Sequence, residues 1–242
     1  LYRSAASSKP QATCFADKTP PYVLHWDFVT KLFPNARYIV LVRHPLAVLD
    51  SFARTFFAGD HARAWAEAPE LPDYIAAAAC FLREAEVANH QVSYEALVNT
   101  PEQTVASLLA FLDLPAEPAV IEYGKAKQSS GPVGDPINAG QLDRPSDAYQ
   151  SNWMQTFAGS EVFRQSAREM LDRVADENLA TWGYPSEALE KDMQAASQQA
   201  QVAVPRRQRW RWYLIKRRIY FALRPLARRA FVRRMLEKVR YY

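Results

Sequence analysis

Apolar and polar residues follow two periods along this chain. The run Tyr38-Ile39-Val40-Leu41-Val42, which follows a Pro34-Asn35 turn, is apolar, β-branched and aromatic, the pattern of a buried parallel strand. Pro45 stands where a helix favours its first residue, so a helix is predicted over 45–58 with Arg43 at the strand-to-helix junction. Upstream, Val23, Leu24, Trp26, Phe28, Val29, Leu32 and Phe33 recur at mixed helical spacing and predict a short helix over 22–33. Downstream, Asp73 is placed to cap an alanine-rich helix over 74–88, residues 91–94 read as a short strand, and Thr100-Pro101 opens another helix. Two more helices are expected over 160–181 and 187–201, divided by the stop signal Trp182-Gly183-Tyr184-Pro185. Strands alternating with helices are βαβ units, which predicts an α/β fold with a parallel sheet flanked by helices. Residues 1–16 read as a loop or frayed end. The stretch 125–147, with Gly131, Gly134 and Gly140 among Pro132, Pro136 and Pro145, reads as an ordered loop or lid.

Composition narrows the class. A chain of 242 residues with 49% apolar and 23% charged residues is globular, with one ordinary core. Cys14 and Cys80 are the two cysteines, too few for a disulfide framework, and they read as thiols of an intracellular protein. No apolar stretch approaches the roughly 20 residues of a membrane span, and neither cysteines nor histidines have metal-ligand spacing. The start at Leu1, without an initiator methionine, reads as a cut or processed end. The net charge of +4 hides a division: residues 205–242 hold fourteen Lys or Arg against one acid, Glu237, and the rest of the chain carries a net −9.

The junction at Arg43 is the first candidate for chemistry. The carboxyl end of a strand that feeds a helix is where open α/β sheets bind phosphates, because backbone N–H groups and the helix dipole point outward there. Arg43 adds a fork of donors shaped for phosphate, and Ser51, about two turns into the helix, adds a hydroxyl. Upstream lies Lys18, in Asp17-Lys18-Thr19-Pro20. Each residue also has an ordinary reading: a solvated loop lysine, an arginine bonded to a carboxylate or carbonyl, a serine bonded back to its own helix.

Taken together, these elements resemble the 3′-phosphoadenosine 5′-phosphosulfate-dependent sulfotransferases, within them the bacterial and tyrosylprotein-type branch. The resemblance continues through Val92-Ser93-Tyr94-Glu95-Ala96-Leu97, Pro101-Glu102 to Phe111-Leu112-Asp113-Leu114-Pro115, Gly131-Pro132-Val133-Gly134-Asp135 and Trp153, in the family's order. It covers roughly residues 10–185 and implies a P-loop-kinase-like sulfotransferase fold over residues 1–190; the residues that follow, 191–242, read as a helical extension. It implies that Lys18 faces the bridging oxygen of the phosphosulfate, that Arg43 and Ser51 hold the 3′-phosphate, that Tyr94 lies at the adenine, and that Ser130 and Gly131 contribute from the late loop. The cofactor would be 3′-phosphoadenosine 5′-phosphosulfate, leaving as adenosine 3′,5′-bisphosphate, with no metal. The acceptor would be a hydroxyl or amine on a small molecule, carbohydrate, lipid or peptide.

The chain also departs from that pattern. The family's glycine-rich phosphosulfate loop lies upstream of the lysine element, whereas the first glycine here is Gly59, so the fold is expected to be incomplete at its amino end. Pro20 stands where the cytosolic branch carries its histidine base, and no base is assigned. Ser129 and Ser130 replace two cations of the late loop, with Lys125, Lys127 or Arg144 available to compensate.

The basic tail from about 205 interleaves Trp210, Trp212, Tyr213, Leu214 and Ile215 with Arg206, Arg207, Arg209, Arg211 and Lys216. Such a segment can lie in the interface of an anionic bilayer, pack on the acidic body, or bind nucleic acid. Tryptophan favours the interface, which would place the protein in the cytoplasm at the inner membrane face, and nucleic acid is the least favoured partner. The runner-up to an enzyme is a catalytically inert membrane-surface protein with the same fold. A kinase remnant is weaker, since the arginine-serine and Tyr94-Glu95 elements do not belong to one.

Overall fold

In a computed structural model, the structure describes residues 14–123 and 142–198. A 3-10 turn over Pro20–His25 leads into α1 (Trp26–Leu32), then β1 (Tyr38–Val42), α2 (Pro45–Phe57), α3 (His61–Glu67), α4 (Leu71–Glu84) and β2 (Asn89–Ser93). There follow α5 (Tyr94–Asn99), α6 (Pro101–Phe111), α7 (Asn152–Gly159), α8 (Glu161–Leu171), α9 (Asp176–Trp182) and α10 (Ser186–Ser197). β1 and β2 pair in parallel, Tyr38 beside Asn89 and Val42 beside Ser93, so the predicted α/β class with a parallel sheet is what the chain forms. The crossover between them carries α2, α3 and α4.

Two clusters make most of the core. In the first, Leu46, Leu49 and Ala47 of α2 meet Trp153 and Phe157 of α7, Phe163 and Met170 of α8, and Ala196 of α10. In the second, Val42 at the end of β1 meets Ile75 and Ala78 of α4, Leu179 and Trp182 of α9, and Leu189 of α10. Each fully buried leucine or phenylalanine contributes about 1.5–3 kcal/mol. Both clusters converge on the carboxyl ends of the strands and hold the β1–α2 junction from two sides.

Several expectations need correction. Strand β1 is buried on one side only: Ile39 and Leu41 are 45% and 56% exposed, while Val42 is 2% exposed. Among the described residues the sheet has just these two strands, and the face bearing Ile39 and Leu41 is only partly covered, by α6 beside β2, where Phe111 stacks on His90. The helix predicted over 22–33 divides into a 3-10 turn and α1, because Pro20 and Pro21 favour the tighter start. Helix α4 begins at Leu71, not after Asp73, since Pro72 is tolerated in a first turn. Residues expected to be loop contain α3, which Asp60 caps by accepting from Arg63 N. Helix α7 was not foreseen, and the helix expected over 160–181 breaks between Leu171 and Asp176.

The stop after α9 forms as expected. Gly183 takes φ +98°, its N–H donates to the Ala180 carbonyl and the Tyr184 N–H to the Leu179 carbonyl, the paired bonds of a Schellman cap. An added Cβ would meet nothing closer than 3.9 Å, so the requirement is conformational rather than spatial. Gly183→Ala is therefore expected to cost about 1–2 kcal/mol, read as a lower urea midpoint at unchanged slope.

Candidate anion site at the carboxyl end of the sheet

Where β1 and β2 end, two short stretches lie side by side: Arg43-His44-Pro45 leading into α2, and Ser93-Tyr94-Glu95 opening α5. Parallel pairing puts them there, since residues that leave adjacent strands in register emerge together. Turns from the carboxyl-terminal half close the site: Tyr149 just ahead of α7, Trp182 at the end of α9, and Tyr184 in the cap that follows.

Arg43 is held at both ends. Its carbonyl accepts a hydrogen bond from Trp182 Nε1 at 2.9 Å. Its guanidinium lies over the Tyr94 ring, 4.1 Å from the centroid, and Nη2 donates to the Tyr149 carbonyl at 3.0 Å. Among the described residues no carboxylate pairs with it, and its buried Nε has no hydrogen bond. An unpaired buried polar group costs about 1–3 kcal/mol, so a half-buried guanidinium with an unmet donor is suited to an anion.

The backbone around it behaves differently from the expectation. The His44 N–H donates to Glu95 Oε1 at 3.1 Å. His44 Nδ1 accepts from Leu46 N at 3.2 Å, and Pro45 has no N–H to offer. Two of the amides expected to cradle an anion, those of His44 and Leu46, are thus already engaged, and the side chain of Arg43 becomes the main donor at the junction.

Behind this rim, Glu95 Oε2 accepts from the Ser93 hydroxyl at 3.1 Å and, in a very short contact, from the Tyr184 hydroxyl. Burial first, and then that bond and the charge of Glu95, push the Tyr184 hydroxyl up from its ordinary value, so Tyr184 stays a donor. His44 is 6% exposed, stacks on Trp153 at 4.3 Å and receives the Tyr184 edge at 5.3 Å. Asp192 Oδ2 stands 3.4 Å from His44 Nε2, but Nε2 makes no hydrogen bond; we regard the contact as too long and poorly aligned to count as one.

Burial lowers the His44 pKa to about 4, against the pull of Asp192 and Glu95. The ring is therefore neutral at pH 7, with its proton on Nε2, because Nδ1 accepts. Below its unfolded value of 6.5 the unfolded chain takes up a proton that the native chain refuses, so His44 removes stability as pH falls from about 6.5 towards 4. We expect up to about 3 kcal/mol of that loss to disappear in His44→Gln, seen as a flatter dependence of urea-unfolding free energy on pH.

The remaining candidates are placed as follows. Tyr94 lies against Arg43, so one face of its ring is covered by the guanidinium. Ser51 is half-buried on α2, on the flank turned from the Leu46, Leu49 and Ala53 face. Lys18 is exposed, ahead of the 3-10 turn at Pro20, and its ammonium has no partner among the described residues; beside it Thr19 Oγ1 donates to Asp17 Oδ1 at 2.8 Å. Arg43 and Tyr94 are thus brought into contact, and among the described residues no hydrogen bond joins Lys18 or Ser51 to them. Ser130, Gly131, Lys125, Lys127 and the basic tail lie outside the described residues, whereas Arg144, the other cation available to the late loop, pairs with Glu102 at 2.8 Å.

A second polar group, absent from the sequence reading, sits inside α2. Asp50 is 2% exposed and is bonded by His61 Nε2 at 2.9 Å and Arg54 Nε at 2.8 Å, while Arg54 Nη2 reaches Thr156 Oγ1 at 2.6 Å. It ties α2 to α3 and α7 one residue before Ser51. Among the described residues no cluster of three ligating side chains could hold a metal ion, and no helix is long and apolar enough to cross a membrane. Cys80 Sγ donates to Glu84 Oε1 at 3.0 Å.

Comparison with known proteins gives two findings. Residues 1–118 match the model of the sulfotransferase family. The solved sulfotransferase domain from the curacin biosynthetic pathway aligns with a TM-score of 0.49 at 22% identity, covering 70% of this chain and 66% of that one. The chain thus spans a little under two thirds of that domain's length. No curated protein matches the sequence.

Proposed function

We propose, from the match of residues 1–118 to the sulfotransferase family, that the chain belongs to an enzyme transferring a sulfuryl group from 3′-phosphoadenosine 5′-phosphosulfate to a hydroxyl or amine. The single observation that supports it most is the Arg43 side chain: at the carboxyl end of β1, unpaired with any described carboxylate, with a buried Nε lacking a hydrogen bond. In this reading Arg43 binds the 3′-phosphate through its fork of donors, and the hydroxyl of Ser51 assists it. Tyr94 keeps the guanidinium flat and aimed, since a cation held over a ring face resists rotation. Ser130 and Gly131 are proposed to approach from the late loop. When bound, the nucleotide supplies the activated sulfuryl group. Lys18 supplies positive charge where the departing phosphate gains negative charge, the means by which pre-organised cations lower such barriers.

The test is incubation of the full-length polypeptide with that nucleotide and a panel of alcohols, sugars, lipids, peptides and amines. Product with one added SO3 group supports the reading. Failure of every acceptor, with no release of adenosine 3′,5′-bisphosphate, would count against it.

The composition of 205–242 favours a second reading that is compatible with the first. Arginines among tryptophans and tyrosines suit an anionic bilayer surface. Flotation with phosphatidylserine vesicles that is lost on deleting 205–242 would support it; flotation that survives the deletion would refute it.

A further inference from the structure

We propose that Glu95 is a positioning residue for Arg43, acting as a tie between the β1–α2 junction, the β2–α5 junction and the cap after α9. The inference rests on the reading of Arg43 as the anion-binding group. Glu95 is not itself an anion-binding group; it acts through its neighbours.

The geometry assigns the role. One carboxylate oxygen accepts the backbone N–H of His44, the residue after Arg43, at 3.1 Å. The other accepts from Ser93 Oγ at 3.1 Å and from the Tyr184 hydroxyl. Trp182, two residues before Tyr184, donates its indole N–H to the Arg43 carbonyl at 2.9 Å. The peptide linking Arg43 to His44 is therefore fixed on both its faces from outside its own strand, at the carbonyl by Trp182 and at the N–H by Glu95. Gly183, in its left-handed conformation, is what lets the chain turn so that Trp182 reaches this peptide and Tyr184 reaches Glu95.

A carboxylate beside an anion site is at first sight a mistake, because its charge repels the anion. Here the cost is set against bonds that keep Arg43 in place. The two contributions have opposite signs, and two variants separate them. Glu95→Gln removes the charge but keeps an oxygen able to accept from His44 N, whereas Glu95→Ala removes both.

Two readouts are needed. Calorimetry with adenosine 3′,5′-bisphosphate should show Glu95→Ala binding about tenfold more weakly than the native chain, the effect of one lost charged hydrogen bond, and Glu95→Gln should restore native affinity or exceed it. Proton-exchange NMR without nucleotide should show the His44 amide and the Arg43 Nε–H exchanging faster in Glu95→Ala than in the native chain, and close to native rates in Glu95→Gln. Tyr184→Phe should give an intermediate loss in both. Unchanged exchange at both protons in Glu95→Ala, or a loss of affinity that Glu95→Gln fails to restore, would overturn the proposal. If the native chain binds the nucleotide no better than adenosine 5′-monophosphate while the exchange differences appear, the tie stands as a structural device and the anion reading is what has failed.

Discussion

Replacing Arg43 with alanine is expected to weaken binding of adenosine 3′,5′-bisphosphate by roughly 10- to 100-fold, as loss of a charge-assisted pair of hydrogen bonds requires. Binding of adenosine 5′-monophosphate should change little, because the group that Arg43 is proposed to hold is missing from it. Arg43→Lys should fall between, since an ammonium keeps the charge but loses the planar fork and much of the fit over Tyr94. The native state should survive both changes. Among the described residues the guanidinium makes one hydrogen bond, to the Tyr149 carbonyl, and one ring contact worth about 0.5–2 kcal/mol. Calorimetry on the three proteins with the two nucleotides decides the matter, and equal weakening for both nucleotides would show that Arg43 does not read the 3′ position.

The second large effect is on stability. Asp50→Ala would leave His61, 7% exposed, and Arg54 without their shared carboxylate, and breaking a buried pair from one side costs about 3–5 kcal/mol. For a chain of this size each kcal/mol is worth about 2–4 °C, so the thermal midpoint should fall by about 10 °C. Asp50→Asn keeps an oxygen for one partner and should lose less. A fall of only one or two degrees in Asp50→Ala, followed by circular dichroism, would mean that Asp50 is not the anchor of α2. The anchor bears on the site as well as on stability: α2 carries Ser51, and the network with Thr156 fixes the helix against α7.

The residues that carry the fold were read with uneven success, for physical reasons. Strand β1 and helix α2 were legible because Pro45 marks the boundary between them and the strand's residues are uniformly apolar. What that apolarity could not say is how many faces are covered, and Ile39 and Leu41 proved exposed. Helix α3 was missed because Pro69, Pro72 and Gly59 around it suggest a loop and outweighed its local cap, Asp60 accepting from Arg63 N, while its buried histidine acts through Asp50 on the preceding helix. The Asp50–His61 pair was hidden likewise, since a lone histidine has no pattern of its own.

At the site, Arg43 and Tyr94 were each singled out on local grounds, yet their contact depends on two strands pairing in register. The stop signal at Trp182-Gly183-Tyr184-Pro185 was legible as punctuation. That its two aromatic side chains reach back some 90 and 140 residues to Glu95 and to the Arg43 carbonyl follows from packing alone. The expectation of open amides at the start of α2 rested on helix geometry in general, and it failed at His44 and Leu46, whose N–H groups donate to Glu95 and to the His44 ring.

The central claim is that Arg43 recognises a phosphate on the ribose 3′ position, and calorimetric titration of the native chain with adenosine 3′,5′-bisphosphate and with adenosine 5′-monophosphate tests it most directly. Binding of the bisphosphate at least about tenfold tighter, the worth of one charged hydrogen bond, is what the account predicts. Equal affinity for the two, or no affinity for either, would contradict it.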